Sequence, residues 1–145
     1  MTMRPTSDAE PLVVTGLIAE RTIIGPYLQE IMKPGPDSEA RDFRRIDYLT
    51  YNPLQRRWQY LSIDTRATIG LMYAQGTGRD EGPDLTLYFN DSPAPTELGP
   101  AVSGRFMRAR HVLTRESNDR ELVRQYWAVG GSPEWMAVQY EYTRR

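Results

Sequence analysis

Four side chains that could line a polar pocket recur at every second position of one short segment. They are Trp58, Tyr60, Ser62 and Asp64, and side chains of a strand alternate between its two faces. Two aromatic rings, a hydroxyl and a carboxylate on one face indicate a cavity wall that is apolar at one end and polar at the other. Tyr48, in the preceding run, is expected to belong to the same cavity.

A role in proton transfer is open to two side chains, Asp64 and His111. Burial of Asp64 in an apolar cavity would raise its pKa and let it act as a general base, whereas the neighbouring Arg66 favours a simple ion pair. His111 is the only histidine of the chain. It could serve as an acid, a base or a haem ligand, although a lone strand histidine more often has a structural role. With one histidine and no cysteine, the sequence predicts no metal site and no cofactor.

The composition excludes several classes of protein. The chain has 145 residues, enough for about one domain. Its net charge of -1 gives no field that would attract nucleic acid or an anionic membrane, and the absence of cysteine rules out disulfides. Six arginines crowd residues 105–124, but acidic residues lie among them, so a solvated outer face is the preferred interpretation. No apolar run reaches membrane-spanning length and the first residues lack a signal-peptide pattern, so we expect a cytoplasmic protein.

The expected fold is an all-β, antiparallel, up-and-down β-barrel of about 8–9 strands. Residues 1–11 are polar, contain two prolines and are expected to form a flexible arm, and residues 12–145 are expected to form a single barrel domain. The irregular segment 90–100 is interpreted as a connection, with a lid over the barrel mouth as the alternative. The predicted strands cover residues 12–24, 27–33, 43–51, 57–64, 68–75, 85–89, 102–114, 121–129 and 135–144.

Two further strand faces carry aromatic and amide side chains together. Gln125 and Trp127 share a face of one late strand, and Trp135 and Gln139 share a face of the last. Tyr140 lies on the opposite side of the last strand and is included as an alternative. A mixed aromatic and amide lining suits a barrel that holds a ligand better than one packed with aliphatic side chains.

Three segments together resemble a known bacterial family. They are TGLIAERTIIGPYLQEIM at residues 15–32, the strand, turn and strand from Phe43 to Asp64, and EWMAVQYEYTRR at residues 134–145. The pattern is similar to that of the bacterial domain of unknown function 1579 family. This resemblance implies a calycin-like β-barrel, related to lipocalins and more distantly to nitrobindin, with no settled biochemical role.

The resemblance also has a consequence for assembly. Members of that family usually begin with an additional strand carrying a Gly-x-Trp motif, which is missing before Leu12. We therefore expect the barrel to be open at its N-terminal edge. An unpaired edge favours the pairing of two copies, so a homodimer is expected.

The favoured function is the binding of a hydrophobic or amphipathic small molecule inside the barrel. Two alternatives stay open: an enzyme of cyclase or isomerase type that acts on a bulky apolar substrate through Asp64 or His111, and a protein-interaction module with a packed core. The expected ligand-binding residues are Tyr48, Trp58, Tyr60, Ser62, Asp64, His111, Gln125, Trp127, Trp135, Gln139 and Tyr140.

Overall fold

The computed structural model describes residues 1–66, 70–77 and 84–144, apart from the Glu97 side chain. Within these residues the chain forms one antiparallel sheet. Its only described helical segment is a single 3₁₀ turn, and no described helix is long and apolar enough to cross a membrane. The twelve described strands are β1 (Thr2–Met3), β2 (Leu12–Val13), β3 (Leu17–Ile24), β4 (Tyr27–Pro34), β5 (Arg45–Asn52), β6 (Arg57–Asp64), β7 (Met72–Gly76), β8 (Asp84–Phe89), β9 (Ser92–Pro93), β10 (Phe106–Arg115), β11 (Arg120–Val129) and β12 (Trp135–Thr143).

The sheet is a meander that curls into a half-barrel. From edge to edge the order is β2, β1, β12, β11, β10, β8, β7, β6, β5, β4 and β3, while β9 pairs with β10 outside this path. The antiparallel all-β fold is therefore confirmed, but twelve described strands exceed the expected eight or nine. The excess is β1, β2 and β9, which have two residues each and are too short for a periodic pattern. The predicted start of one strand, at residues 68–69, lies outside the described residues.

The hairpin of β5 and β6 fixes which side chains of β5 face the interior. The Asn52 side-chain oxygen accepts hydrogen bonds from the backbone amides of Leu54 and Gln55, both at 3.1 Å, which closes the turn. Counting pairs back from this turn, Leu49 lies opposite Tyr60 and Asp47 lies opposite Ser62. Because directly opposed residues share a face, the odd-numbered residues of β5 face the interior.

A β-bulge in β12 changes which of its residues face the interior. Gln125 of β11 pairs with Val138, but the next residue, Tyr126, pairs with Met136. Ala137 is therefore an extra residue without a partner on β11, and it shifts the alternation of side chains by one position. As a result Trp135 shares the inner face with Val138, Tyr140 and Tyr142 rather than with Gln139.

The N-terminal residues form part of the sheet, which departs from the expected flexible arm. Thr2 pairs with Gln139 of β12 and with Val13 of β2, and the Met1 ammonium donates to the Val14 carbonyl oxygen at 2.8 Å. The predicted strand at residues 12–24 is interrupted after Val13, because Gly16 adopts a positive φ of 70°. A side chain there would also approach the Ser38 backbone to 3.0 Å.

The segment at residues 90–100 packs against the barrel, as its interpretation as a lid requires. Ala94 and Leu98 are buried at 3% and 7% exposure. They form a cluster with Met107 of β10 and Val129 of β11 at one end of the half-barrel. The segment therefore contributes to the core; we call it the lid from here on, although its action as a lid stays a prediction.

The long strands β3 and β12 face each other across an open cleft of about 1010 Å³. No described residues of β3 and β12 pair in a ladder. Instead Arg21 of β3 spans the cleft, with its Nη1 atom 2.6 Å from Glu121 Oε2 of β11 and its guanidinium 4.9 Å from the ring centre of Tyr142 of β12.

Candidate functional site

The interior of the half-barrel holds a cavity of about 250 Å³. Its walls are mostly apolar, with methionine and aromatic side chains prominent, and the lid contributes Pro95 and Leu98. The remaining lining residues are Met1, Met3, Arg45, Tyr60, Ser62, Asp64, Arg66, Met72, Phe89, Met107, Ala109, Gln125, Trp127, Val138 and Tyr140. A mostly apolar cavity with a few convergent polar groups is the usual form of a small-molecule site.

Six of the eleven predicted ligand-binding residues line this cavity. Trp58 and Trp135 also face the interior but lie beside the cavity: Trp58 packs edge-on against Tyr51 at 5.4 Å between ring centres, and Trp135 against Trp127 at 6.3 Å. The six that line it are Tyr60, Ser62, Asp64, Gln125, Trp127 and Tyr140.

The expected placement of Tyr48 at the cavity is wrong. Tyr48 lies opposite Leu61 on the outer face of the sheet, and its hydroxyl accepts a hydrogen bond from Gln29 Nε2 at 2.6 Å. The cause is the register of the hairpin, which turns Asp47 and Leu49 inward and therefore Tyr48 outward.

The expected placement of Gln139 is wrong for a related reason. The bulge at Ala137 reverses the alternation of β12, so Gln139 lies on the outer face, where its Nε2 atom donates to Glu141 Oε1 at 2.9 Å. The same bulge brings the alternative residue Tyr140 to the cavity wall.

His111 is buried behind the cavity wall and does not line it. It is 2% exposed, and the rings of Tyr60 and Phe89 pack edge-on against it at 5.3 and 4.6 Å between ring centres. Burial lowers the pKa of His111 to about 3, and the positive charge of Arg45 adds to this effect. A hydrogen-bonding contact with Gln125 acts in the opposite direction. The imidazole is therefore neutral at pH 7, and two rings separate it from any ligand that it could protonate.

Asp64 forms a two-point ion pair with Arg66, as the simpler interpretation of the sequence predicted. Arg66 Nε donates to Asp64 Oδ1 at 2.9 Å and Nη2 to Oδ2 at 2.6 Å. Burial raises the pKa of Asp64, but the side-chain and backbone hydrogen bonds from Arg66 outweigh it, so the pKa is lowered. A carboxyl group held in its ionised form in this way is a poor general base.

A buried cluster of charges lies beside the cavity and is centred on Arg45, which the sequence analysis did not single out. Glu30, Arg45 and Asp47 are 7%, 5% and 6% exposed. Arg45 Nη2 lies 3.2 Å from Glu30 Oε1, and Arg45 Nε lies 2.8 Å from Asp47 Oδ2. Tyr142 donates to Glu30 at 2.9 Å, and Arg21 Nε lies 2.8 Å from the other Glu30 oxygen. The cluster joins β3, β4, β5 and β12 from the inside.

The pKa of Asp47 is raised because its carboxyl group is buried. The charge of Arg45 and contacts with Ser62 and Tyr60 act in the opposite direction. Neither Asp47 Oδ1 nor Ser62 Oγ has a well-aligned hydrogen bond within the described part of the chain. Ser62 is 2% exposed and lines the cavity, so its hydroxyl lies between the Asp47 carboxyl and the cavity.

The length of the turn explains why the cluster was missed. The predicted strands left five residues, 52–56, in the turn, whereas Asn52 pairs with Arg57 and the turn has four. With Trp58 and Tyr60 inward, the four-residue turn places Arg45 and Asp47 inward with them. The general preference of charged residues for the surface pointed the other way.

No group of His, Asp or Glu side chains in the described ranges is arranged to hold a metal ion. Comparison of the chain with protein-family models and with curated proteins gave no match. The site is therefore interpreted from its own geometry.

Proposed function

We propose that this protein binds a small apolar or amphipathic molecule inside a lipocalin-like barrel. One observation carries the proposal: the interior cavity combines walls of methionine and aromatic side chains with a compact polar side formed by Arg45, Ser62 and Gln125. A packed interaction module would need no such space, because protein interiors normally leave few voids larger than a water molecule.

The size of the cavity limits the ligand. An engineered protein cavity of about 150 Å³ holds benzene, so the volume of about 250 Å³ found here suits a molecule of roughly ten non-hydrogen atoms on the same scale. A two-ring aromatic compound is a suitable probe of that size.

Filling the cavity tests the proposal. Naphthalene is titrated into the wild-type protein and into Ala109→Phe, and binding is followed by chemical-shift changes and calorimetry. Ala109 lines the cavity, so the larger side chain should weaken binding at least about tenfold by occupying the space. Ala128→Phe, on the opposite face of the neighbouring strand, is the matched control and should bind as the wild type does. Failure of the wild type to bind would reject the proposal.

The enzyme alternative receives no support from the two side chains assigned to it. Asp64 is tied to Arg66, and His111 is neutral and lies behind Tyr60 and Phe89. Binding without turnover is accordingly the function that we propose.

We also propose that two copies associate through the edge strand β3. Ile23 is 72% exposed and Ile24 48% exposed on a strand whose outer edge has no partner among the described residues. Exposed apolar side chains on an open edge favour pairing with another chain. The relation to the domain of unknown function 1579 family is likewise proposed on the segments quoted above, and the cytoplasmic location stays a prediction.

A further inference from the structure

Both arginines that line the interior cavity already have carboxylate partners, and the ammonium group of Met1, a third lining residue, donates to the Val14 carbonyl oxygen. Arg45 contacts Asp47 at 2.8 Å and Glu30 at 3.2 Å, and its guanidinium lies 4.3 Å from the ring centre of Tyr140. The second cation, Arg66, is held by both oxygens of Asp64.

The flat face of Arg66 is covered as well. Its guanidinium lies 3.8 Å from the ring centre of Phe43. An arginine whose donors face a carboxylate and whose plane lies on an aromatic ring has little left to offer a second anion. Among the described lining residues, neither arginine is therefore free to neutralise a charged ligand.

The polar groups that remain at the cavity are uncharged. Ser62 Oγ is buried without a well-aligned partner, and Gln125 also lines the cavity, with its side chain in contact with His111. Ser62 also lies directly opposite Asp47 in the sheet, so an anionic group bound at Ser62 would stand beside a carboxylate. The transfer of an unpaired anion from water to such a site is costly.

We infer that the ligand presents an uncharged hydrogen-bonding group, such as a hydroxyl, carbonyl or amide, to Ser62 and Gln125, and that carboxylates and phosphates are rejected. This inference rests on the proposed function and names the ligand class for the same cavity. A hydrogen-bond donor is favoured most, because it would place positive polarity next to Asp47.

Three probes with one ring system test the inference at pH 7. They are naphthalene, 2-naphthol and 2-naphthoate, which carry no polar group, a neutral hydroxyl and a carboxylate. With the wild-type protein, calorimetry should show 2-naphthol binding at least about tenfold more tightly than 2-naphthoate, a ratio that corresponds to the exclusion of one unpaired charge.

Two variants, with Ser7→Ala as a control, identify the groups that determine the preference for an uncharged ligand. Ser62→Ala should reduce the affinity for 2-naphthol by about three- to tenfold, which is the range for the loss of one hydrogen bond. The affinity for naphthalene, which has no polar group, should change little. Ser7→Ala removes an exposed hydroxyl outside the cavity lining and should change neither. Asp64→Asn should raise the affinity for 2-naphthoate about tenfold by releasing Arg66, and circular dichroism verifies that this variant is folded.

The outcomes separate the two proposals. Equal or tighter binding of 2-naphthoate by the wild type, with naphthalene also bound, would overturn the inference and leave the binding function standing. If none of the three probes binds, the proposed function fails and the inference fails with it. The wild-type ratio decides the matter even if Asp64→Asn does not fold.

Discussion

His111 gives folding stability a dependence on acid that can be measured. Its pKa is lowered to about 3 in the folded protein, chiefly by burial, whereas an unfolded histidine titrates near about 6.5. Between these values the unfolded chain binds a proton that the folded one does not. The stability is therefore fully present above about pH 6.5 and is lost as the pH falls toward 3, by about 1.4 kcal/mol for each unit.

Replacing His111 by glutamine should flatten this decline. Urea unfolding of the wild type and of His111→Gln is measured at pH 7, 5.5 and 4.5. The difference in unfolding free energy between the two proteins should shrink as the pH falls, because glutamine has no proton to gain. Carboxyl groups titrate in both proteins and cancel in the difference. A difference that stays constant with pH would show that His111 is not buried in its neutral form.

Arg45 should be among the most sensitive positions of the chain. Arg45→Met leaves Glu30 and Asp47 buried without their shared cation, and losing one partner of a buried ion pair costs about 3–5 kcal/mol. The matched control is Arg120→Met, because Arg120 is 52% exposed and 3.0 Å from Glu116, and a surface pair contributes about 1 kcal/mol or less. Denaturant unfolding of both variants makes the comparison. Equal small losses would show that the buried cluster is dispensable.

At the scale of single residues, the sequence predicted the residues of β6 that line the cavity and missed Arg45 on the neighbouring strand β5. Trp58, Tyr60, Ser62 and Asp64 face the interior as alternation required. Arg45 was missed because a charged residue is normally assigned to the surface, and its burial depends on partners from β4 and β12 that are distant in the chain.

At the scale of elements, the lid makes a contribution to stability that its composition did not reveal. Prolines and a glycine at residues 90–100 exclude a long helix but do not say whether the segment packs. Leu98→Ala should cost about 2–4 kcal/mol, because this side chain is 7% exposed and its loss leaves a cavity. Leu54→Ala, at a residue that is 94% exposed, should change little. Thermal or urea unfolding of the two variants tests this, and equal effects would mean that the lid does not pack.

The last strand shows why element boundaries were easier to predict than faces. Its predicted range agrees closely with β12, Trp135–Thr143. Both alternations of this strand contain aromatic or aliphatic side chains, so the sequence carried no signal for the extra residue at Ala137. A bulge depends on the neighbouring strand as much as on its own residues, and one such residue is enough to exchange Gln139 for Tyr140 at the cavity.

At the scale of the whole molecule, the proposed dimer is testable through one residue. Light scattering coupled to size-exclusion chromatography should give twice the chain mass for the wild type and a single chain mass for Ile23→Lys, because a charge on an edge strand opposes pairing. Leu71→Lys changes a residue of similar exposure, 67% against 72%, away from β3 and should remain a dimer. A monomeric wild type would remove the proposal.

The general architecture was the most predictable property of the molecule. Regularly spaced apolar runs and turn residues predicted an antiparallel meander, and its nine longer strands are found where expected. The short strand β1 was not predicted, because pairing with β12 and β2 holds it in place rather than any pattern of its own, and β2 was predicted only as the start of the strand at residues 12–24.

The strand order also determines whether the half-barrel could close into a continuous antiparallel barrel. Nine strands lead from β12 to β3, each antiparallel to the next, so the first and last of them point the same way. With an odd number, continuous antiparallel closure requires a tenth strand between them. The short strand β1 pairs over two residues with β12 and with β2, and it has no described pairing with β3. Along the rest of the gap Arg21 reaches Glu121 through a side-chain ion pair. The circumference is therefore completed by side chains and by the short strands β1 and β2, and not by a continuous backbone ladder.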